Sequence, residues 1–262
     1  YLPFLAELFK KDIQFMGTKP RYLLKHFALF LKLYGFLYTS QLALNLNNWK
    51  DFPRPRDNYL ILDIEKASRE RREVHDFGHE QLQKNAHILF PYLAMSEMLQ
   101  KGNVIKPLWR LSDTLGSSDQ ENAKLNDFAR AFVAKRELNY EFSSADSSVD
   151  SLAQILELSK LQFKTGNKDK DDINLNYAKA TLKLLCADFI QRRGAAGTVL
   201  VINQDYLLLL TNIAIGDQEK LRFAELVKEF RNRGVFFDKQ SQAEIIQFYE
   251  RIGNVERMSD SG

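Results

Sequence analysis

Two histidines four residues apart, in "HDFGHE", are the first side chains whose types and spacing could do chemistry. At i and i+4 on one helical face, His75 and His79 could share a divalent metal that activates a water. The surrounding residues do not complete such a centre. A hydrolytic zinc helix carries Glu directly after the first His, whereas Asp76 stands there, and Gly78 weakens the helix between the pair. Local spacing supplies no third ligand. Polar surface histidines are therefore the preferred reading, and no metal is expected.

"LILDIEK" carries the acids and the lysine of a magnesium-dependent nuclease core, in Asp63, Glu65 and Lys66. Such a core separates its second acid and its lysine by one residue, so that both face the same metal and phosphate. Here Glu65 and Lys66 are adjacent, and neighbours on a strand point to opposite faces. The run reads as a surface strand leading into a helix. A metal-dependent nuclease using His75, His79 and acids near Asp63 is accordingly the less favoured alternative. "KTGNKDK" lacks the upstream glycine of a phosphate-binding loop and sits between helices instead of after a strand. "RRGAAG" could cradle an anion with glycine amides beside Arg192 and Arg193, but a helix stop and interdomain hinge is the simpler interpretation. No motif places Ser, His and Asp as a triad. The chain thus reads as a non-enzyme that needs no cofactor.

The remaining chemistry is that of charge. Lys10, Lys11, Lys19, Arg21 and Lys25 cluster in the first third with few acids among them, and form a secondary basic patch. A plain solvated helix face is the competing explanation. Near the other end, Lys239, Gln240, Gln242, Gln247 and Arg251 lie on or beside the outward side of a helix, and Arg257 opens the segment after it. Arg and Gln read base edges well, which makes these six the candidate DNA-binding residues. Glu244 and Glu250 on the same helix oppose the phosphate field.

Those side chains need elements to hold them, and the composition favours helices. The 262 residues contain 12 Gly and 6 Pro against 19 Phe and 10 Tyr, and the hydrophobic share of 45% with 27% charge is that of a globular protein. Residues 3 to 16 and 21 to 46 read as two helices separated by "GTKP". Leu23, Phe27, Phe30, Leu31, Tyr34 and Tyr38 should pack them into an antiparallel hairpin. The uncharged stretch from Leu33 to Trp49 contains Thr39, Ser40, Gln41 and three asparagines, and is expected to be a buried helix of a soluble protein. Residues 51 to 65 form a linker with one short strand, and 66 to 193 a helical bundle. In that bundle Asp119 stands at a helix start, helices lie near 150 to 164 and 174 to 192, and "TGNKDKDDIN" is a solvated loop between them.

A domain boundary is expected near 194, followed by the strand "TVLVI", a helix capped by Asn203, a second from Gly216 to Gly234, and a third opening on Ser241 and Glu244. Leu221, Ala224, Val227 and Phe230 should face inward from the second, and Ile245, Phe248, Tyr249 and Ile252 from the third. Three such helices running into "VERM" and the turn-forming "SDSG" have the order of a winged helix-turn-helix, with the returning strand of the wing beyond Gly262. The fold class is therefore mainly α, a helical domain over 1 to 193 and a winged-helix-like module over 194 to 262. The start at Tyr1 suggests a chain that begins in mid-protein. No signal peptide is evident, and the single Cys186 permits no internal disulfide, which together suit the cytoplasm.

The blocks "FLAELFKKDIQFM", "PRYLLKHFALFLKLYGFLYTSQLAL", "QDYLLLLTNIAIG", "KLRFAELVKEFRNRGVFFDKQSQ" and "FYERIGNVERMSDSG" resemble the DNA phosphorothioation-dependent restriction protein family DptG, also called DndG. They cover the first 50 and about the last 60 residues, and contain no short catalytic signature. The resemblance implies a subunit of a bacterial defence complex acting with DptF-like and DptH-like partners, which are associated with nucleotide hydrolysis and DNA processing, against DNA lacking phosphorothioate marks. A purely architectural adaptor is the alternative. No membrane partner is expected.

Overall fold

A computed structural model describes residues 1–66, 71–102, 104–115, 119–164 and 168–254. The chain is mainly helical with little strand. In order, its elements are α1 (Pro3–Gly17), α2 (Pro20–Asn45), β1 (Asn58–Tyr59), β2 (Ile61–Leu62), α3 (Arg72–Val74), a π-helical segment (His75–Glu80), α4 (Gln81–Ala86), α5 (Leu89–Met98), α6 (Leu108–Leu115), α7 (Asp119–Arg136), α8 (Ser148–Leu161), α9 (Lys168–Leu185), β3 (Ile190–Arg192), β4 (Thr198–Ile202), α10 (Gln204–Ile215), α11 (Phe223–Asn232), β5 (Val235–Phe236) and α12 (Lys239–Arg251), with short 3-10 turns between some of them. Contacts gather these into two compact units of discontinuous sequence. Unit 1 holds Tyr1–Pro3, Leu42–Arg54 and Gln83–Leu184, and unit 2 holds Phe4–Gln41, Pro55–Leu82 and Leu185–Gly262. The boundary expected near 194 falls inside unit 2, where β3 and β4 pair across it.

In unit 1, α7 and α8 pack around Met95, Ala129, Phe132, Leu138, Ile155 and Leu158. Asn126 fastens the connection between them, its Nδ2 donating to the Ala145 carbonyl at 3.0 Å and its Oδ1 accepting the Ala145 N–H at 2.8 Å. Ser147 caps α8, its hydroxyl accepting from the Asp150 N–H. The stretch expected to be a solvated loop before 174 already belongs to α9 from Lys168. Asp171 and Asp172 near the start of α9 favour this earlier beginning, because carboxylates suit the positive end of a helix.

Unit 2 opens with the expected pair of helices. Gly17 ends α1, the Thr18 hydroxyl donates to the Phe15 carbonyl at 2.7 Å, and Pro20 is the first residue of α2, where its missing N–H leaves no bond unmade. Phe9 meets Tyr34 edge-on at 4.9 Å and Phe30 at 5.3 Å between ring centroids. The apolar stripe expected on α2 is divided, however: Phe30 and Tyr34 are buried, whereas Phe27, Leu31 and Tyr38 are exposed. The inner face consists of Phe30, Leu33, Tyr34, Phe36 and Leu37. By length and composition Pro20–Asn48 could cross a membrane, yet 61% of its most apolar window is buried within the chain.

Two small sheets complete the unit. β1 pairs parallel with β5, Asn58 opposite Val235, and the second sheet has the order β2-β4-β3, with β2 parallel and β3 antiparallel to β4. "YLILDIE" is therefore no surface strand, since Leu60, Ile61, Leu62 and Glu65 are all buried. Ile61 and Leu62 are successive strand residues and so point to opposite faces, and the burial of both shows that β2 is covered on each side. The long helix expected to reach 192 stops at Leu185, because Ile190–Arg192 serve as the antiparallel partner of β4. Gly194 (φ 52°) and Gly197 (φ 85°) make the turn between the strands, closed by the Arg193 N–H to the Gly197 carbonyl at 2.7 Å. These glycines end a strand, not a helix. Asn203 caps α10 as expected, its side chain accepting from the Tyr206 N–H at 2.9 Å.

α11 begins only at Phe223, and Leu226 with Phe230 supplies its buried side, leaving Ala224 exposed. The six residues before it form no helix, so the apolar phase expected from an earlier start is shifted.

Candidate nucleic-acid and partner interface

α12 is held at its start by an ionic cluster that joins two of the segments of unit 2, Pro55–Leu82 and Leu185–Gly262. Asp238, not Ser241, is its N-cap, with a carboxylate oxygen accepting the Ser241 N–H at 2.8 Å. Arg71 grips that carboxylate with Nη2 at 2.7 Å and Nε at 3.0 Å, and gives Nη1 to Glu65 at 2.8 Å. The buried Ser241 hydroxyl accepts from Arg71 at 2.9 Å and donates to Glu65 at 3.1 Å, while the other Glu65 oxygen accepts the Leu62 N–H at 2.8 Å. Burial alone would raise the Asp238 carboxyl. The Ser241 N–H and Arg71 outweigh it and hold that group below the usual carboxylate range. For Arg71 burial likewise works against the charge, and the bonds to Asp238 and Glu65 push its pKa up instead.

Below this cap Ile245, Phe248 and Tyr249 are buried, and the Tyr249 hydroxyl bonds to the Thr211 hydroxyl on α10. Burial pushes the Tyr249 phenol up to about 12. Ile252, expected to turn inward, is 43% exposed because the helix has ended at Arg251. On the opposite side Lys239, Gln240, Gln247 and Arg251 are exposed. Gln242 is half-buried and donates to the Phe237 carbonyl at 2.7 Å, so it secures the loop entering the helix. Glu244 and Glu250 are half-buried. Arg257, "VERM" and the "SDSG" turn lie outside the described residues.

The N-terminal basic residues are also at the surface: Lys10 and Lys11 on α1, Lys19 between the helices, Arg21 and Lys25 on α2. The Lys19 ammonium sits 4.3 Å from the Phe15 ring centroid. What anchors α1 and α2 to the C-terminal helices is a buried charge pair. Arg233 gives Asp12 two bonds, Nη2 at 2.7 Å and Nε at 3.0 Å, and both side chains are fully buried. The Tyr34 hydroxyl donates to the same carboxylate at 2.5 Å, and Arg233 Nη1 reaches the Glu229 carbonyl at 2.9 Å. Burial first, then the Asp12 carboxylate, raises the Tyr34 pKa and keeps the phenol a donor. Sequence reasoning missed both ionic clusters. Asp12 did carry a signal, a carboxylate on the apolar side of α1 between Leu5 and Phe15, where a charge calls for a buried partner.

The metal candidates resolve differently. His75 and His79 are half-buried on the π-helical segment, where Gly78 (φ −101°, ψ −117°) interrupts the helix. Burial lowers the His79 pKa, and Glu80 offsets this in part. A Cβ on Gly78 would lie 2.8 Å from the Tyr59 carbonyl oxygen, so that glycine permits the segment to approach β1. Among the described residues no group of three or more His, Cys, Asp and Glu side chains is placed to hold a metal. Glu65 is enclosed in the Arg71 cluster while Lys66 is exposed, and both follow β2 instead of standing on the strand expected there. Of the arginine pair, Arg193 donates to the Asp63 carbonyl and Arg192 is exposed. Burial pushes the Cys186 thiol up to about 12. No protein-family model matches the chain, and no curated protein matches it.

Proposed function

We propose that the chain is a non-catalytic subunit of a cytoplasmic bacterial restriction complex of the DptF-DptG-DptH type, docking the partner subunits and contacting duplex DNA through α12. The sequence blocks that resemble the DptG family support the assignment to such a complex. The observation that carries the DNA contact is the outward face of α12, where Lys239, Gln240, Gln247 and Arg251 are exposed on a helix whose other side and N-terminus are fixed. Arg and Lys on such a face suit phosphates, and Gln suits base edges. In this reading α10, α11 and α12 are the three helices of a winged helix. β5 between α11 and α12 makes the turn longer than the short one usual in a helix-turn-helix.

The test is duplex binding across a salt series. Reversing Lys239, Arg251 and Arg257 to Glu weakens binding and flattens the salt dependence, by about 0.9 in slope for each phosphate that is no longer neutralised. Reversing Lys10, Lys11 and Lys25 is the matched control. If only the control abolishes binding, α12 is not the DNA contact. Glu244 and Glu250 beside the same face favour a second reading, an adaptor without DNA affinity. That reading requires no duplex binding at low salt together with stable retention of an ATPase partner in a pull-down. Retention of neither an ATPase nor a DNA-processing partner overturns the assignment to the complex.

A further inference from the structure

We infer that the outward face of α2 is a docking surface for an acidic amphipathic helix of a partner protein. This deepens the proposed function by placing one protein-docking site, on a different helix from the proposed DNA contact. Leu24 is 81% exposed, Phe27 44% and Leu31 45%, and Ala28 between them is exposed as well. At 3.6 residues per turn these four fall within an arc of roughly 100°, opposite the buried Leu33, Phe36 and Leu37. From Leu24 to Leu31 the stripe is about 10 Å long, two helical turns, which is the i, i+3, i+4, i+7 pattern that a second helix meets.

Charge selects the occupant. Arg21, Lys25 and Lys32 border the stripe along one flank, and α2 contains no acid. Lys32 pairs with Asp188 at 3.1 Å, whereas Arg21 and Lys25 have no acidic partner among the described residues. The positive end of the helix lies beside Arg21 and adds to the same field. A second copy of the chain would bring an equally basic face, and like charges oppose that pairing. Nucleic acid would match the cations but gain nothing from Leu24, Phe27 and Leu31. A lipid surface would use the apolar stripe, but a membrane-lying helix needs a broader apolar face than three large side chains supply. An apolar stripe with one basic rim fits a helix with an apolar stripe and one acidic edge.

The probe is a fluorescent designed peptide of about 18 residues, long enough to match two or more turns, with leucines at that spacing and glutamates on the flanks. A scrambled peptide of the same composition is its control. Fluorescence anisotropy should show the peptide binding roughly tenfold or more tighter than the scramble, with affinity falling as salt rises. Leu24→Ser/Leu31→Ser and, separately, Arg21→Glu/Lys25→Glu should each cost roughly tenfold or more. These positions are exposed, so circular dichroism melting of the variants should match the parent and separate impaired binding from impaired folding. Equal binding of scramble and peptide, or undiminished binding by the leucine variant, overturns the proposal. So does concentration-dependent self-association, or flotation with phosphatidylserine vesicles, that the leucine variant alone abolishes, since either names a different occupant. The leucine variant should bind duplex DNA as the parent does. Undiminished DNA binding in the α12 variant with peptide binding intact sinks only the α12 reading.

Discussion

Arg233 and Asp12 form a pair with no exposure to water, and elementary electrostatics makes such a pair more consequential when broken than when intact. Two charges withdrawn from water gain their attraction only at a high desolvation cost. Removing one leaves the other buried without compensation. Arg233→Met should therefore destabilise the protein by about 3–5 kcal/mol in urea denaturation, since Tyr34 alone remains to satisfy Asp12. Adding Asp12→Leu should recover part of that loss, because it removes the orphaned charge while leaving the Tyr34 hydroxyl without its acceptor. A double variant as unstable as Arg233→Met would show that packing, not the orphaned charge, sets the effect. At this scale the sequence was only partly legible. Exposed charges such as Lys239, Arg251 and Lys25 stand where helical spacing places them, because a surface residue depends only on its own helix. Asp12 and Arg233 meet across 221 positions of sequence, and no local pattern encodes a distance of that kind.

Whole elements were legible where punctuation was strong. Gly17 and Pro20 bracket the first two helices, Asn203 caps α10, and the strand-forming run "TVLVI" becomes β4. Phase within an element was less secure. α2 is apolar on opposite sides, so periodicity could not decide that Phe30 and Leu33 face the core while Leu24 and Leu31 face water. Capping also misled, because Ser241 with Glu244 has the spacing of a capping box while Asp238, three residues earlier, is the residue that Arg71 holds in place. Asp238→Ala should thus remove both the cap and one partner of Arg71. The expected loss is about 2 kcal/mol, from about 1 for an N-cap and a similar amount for the charge-assisted bonds. Hydrogen exchange should rise at the first-turn amides of α12, especially Ser241. Asp238→Asn retains a capping oxygen and should lose less. Equal losses in the two variants would mean that the Arg71 contact carries the whole effect.

At the scale of the molecule, the net charge of +3 says little, but the placement of two histidines gives stability a direction in pH. His79 belongs to unit 2 and His87 to unit 1. Burial lowers both, with Glu80 partly offsetting the effect at His79 and Lys179 reinforcing it at His87. An unfolded histidine takes up its proton near the ordinary value of 6.5, whereas these two in the folded chain resist protonation until lower pH. The unfolded state therefore binds more protons as pH falls through 6.5 toward the depressed folded values, and stability must decline over that interval. Well above 6.5 both histidines are neutral in either state, and their contribution is constant. Asp188 and Asp238 are held below an ordinary value of 3.8, so their protonation affects stability only at more acidic pH. The urea midpoint should accordingly fall between pH 7.5 and 5.5. Trp49 and Trp109 both stand in unit 1, so their emission follows the unit that contains His87. His87→Gln should flatten the pH dependence seen through those tryptophans, and His79→Gln/His87→Gln should flatten it in far-ultraviolet circular dichroism as well. A midpoint that rises on acidification, or a double variant that keeps the full parental slope, would show that these histidines do not govern stability near neutral pH.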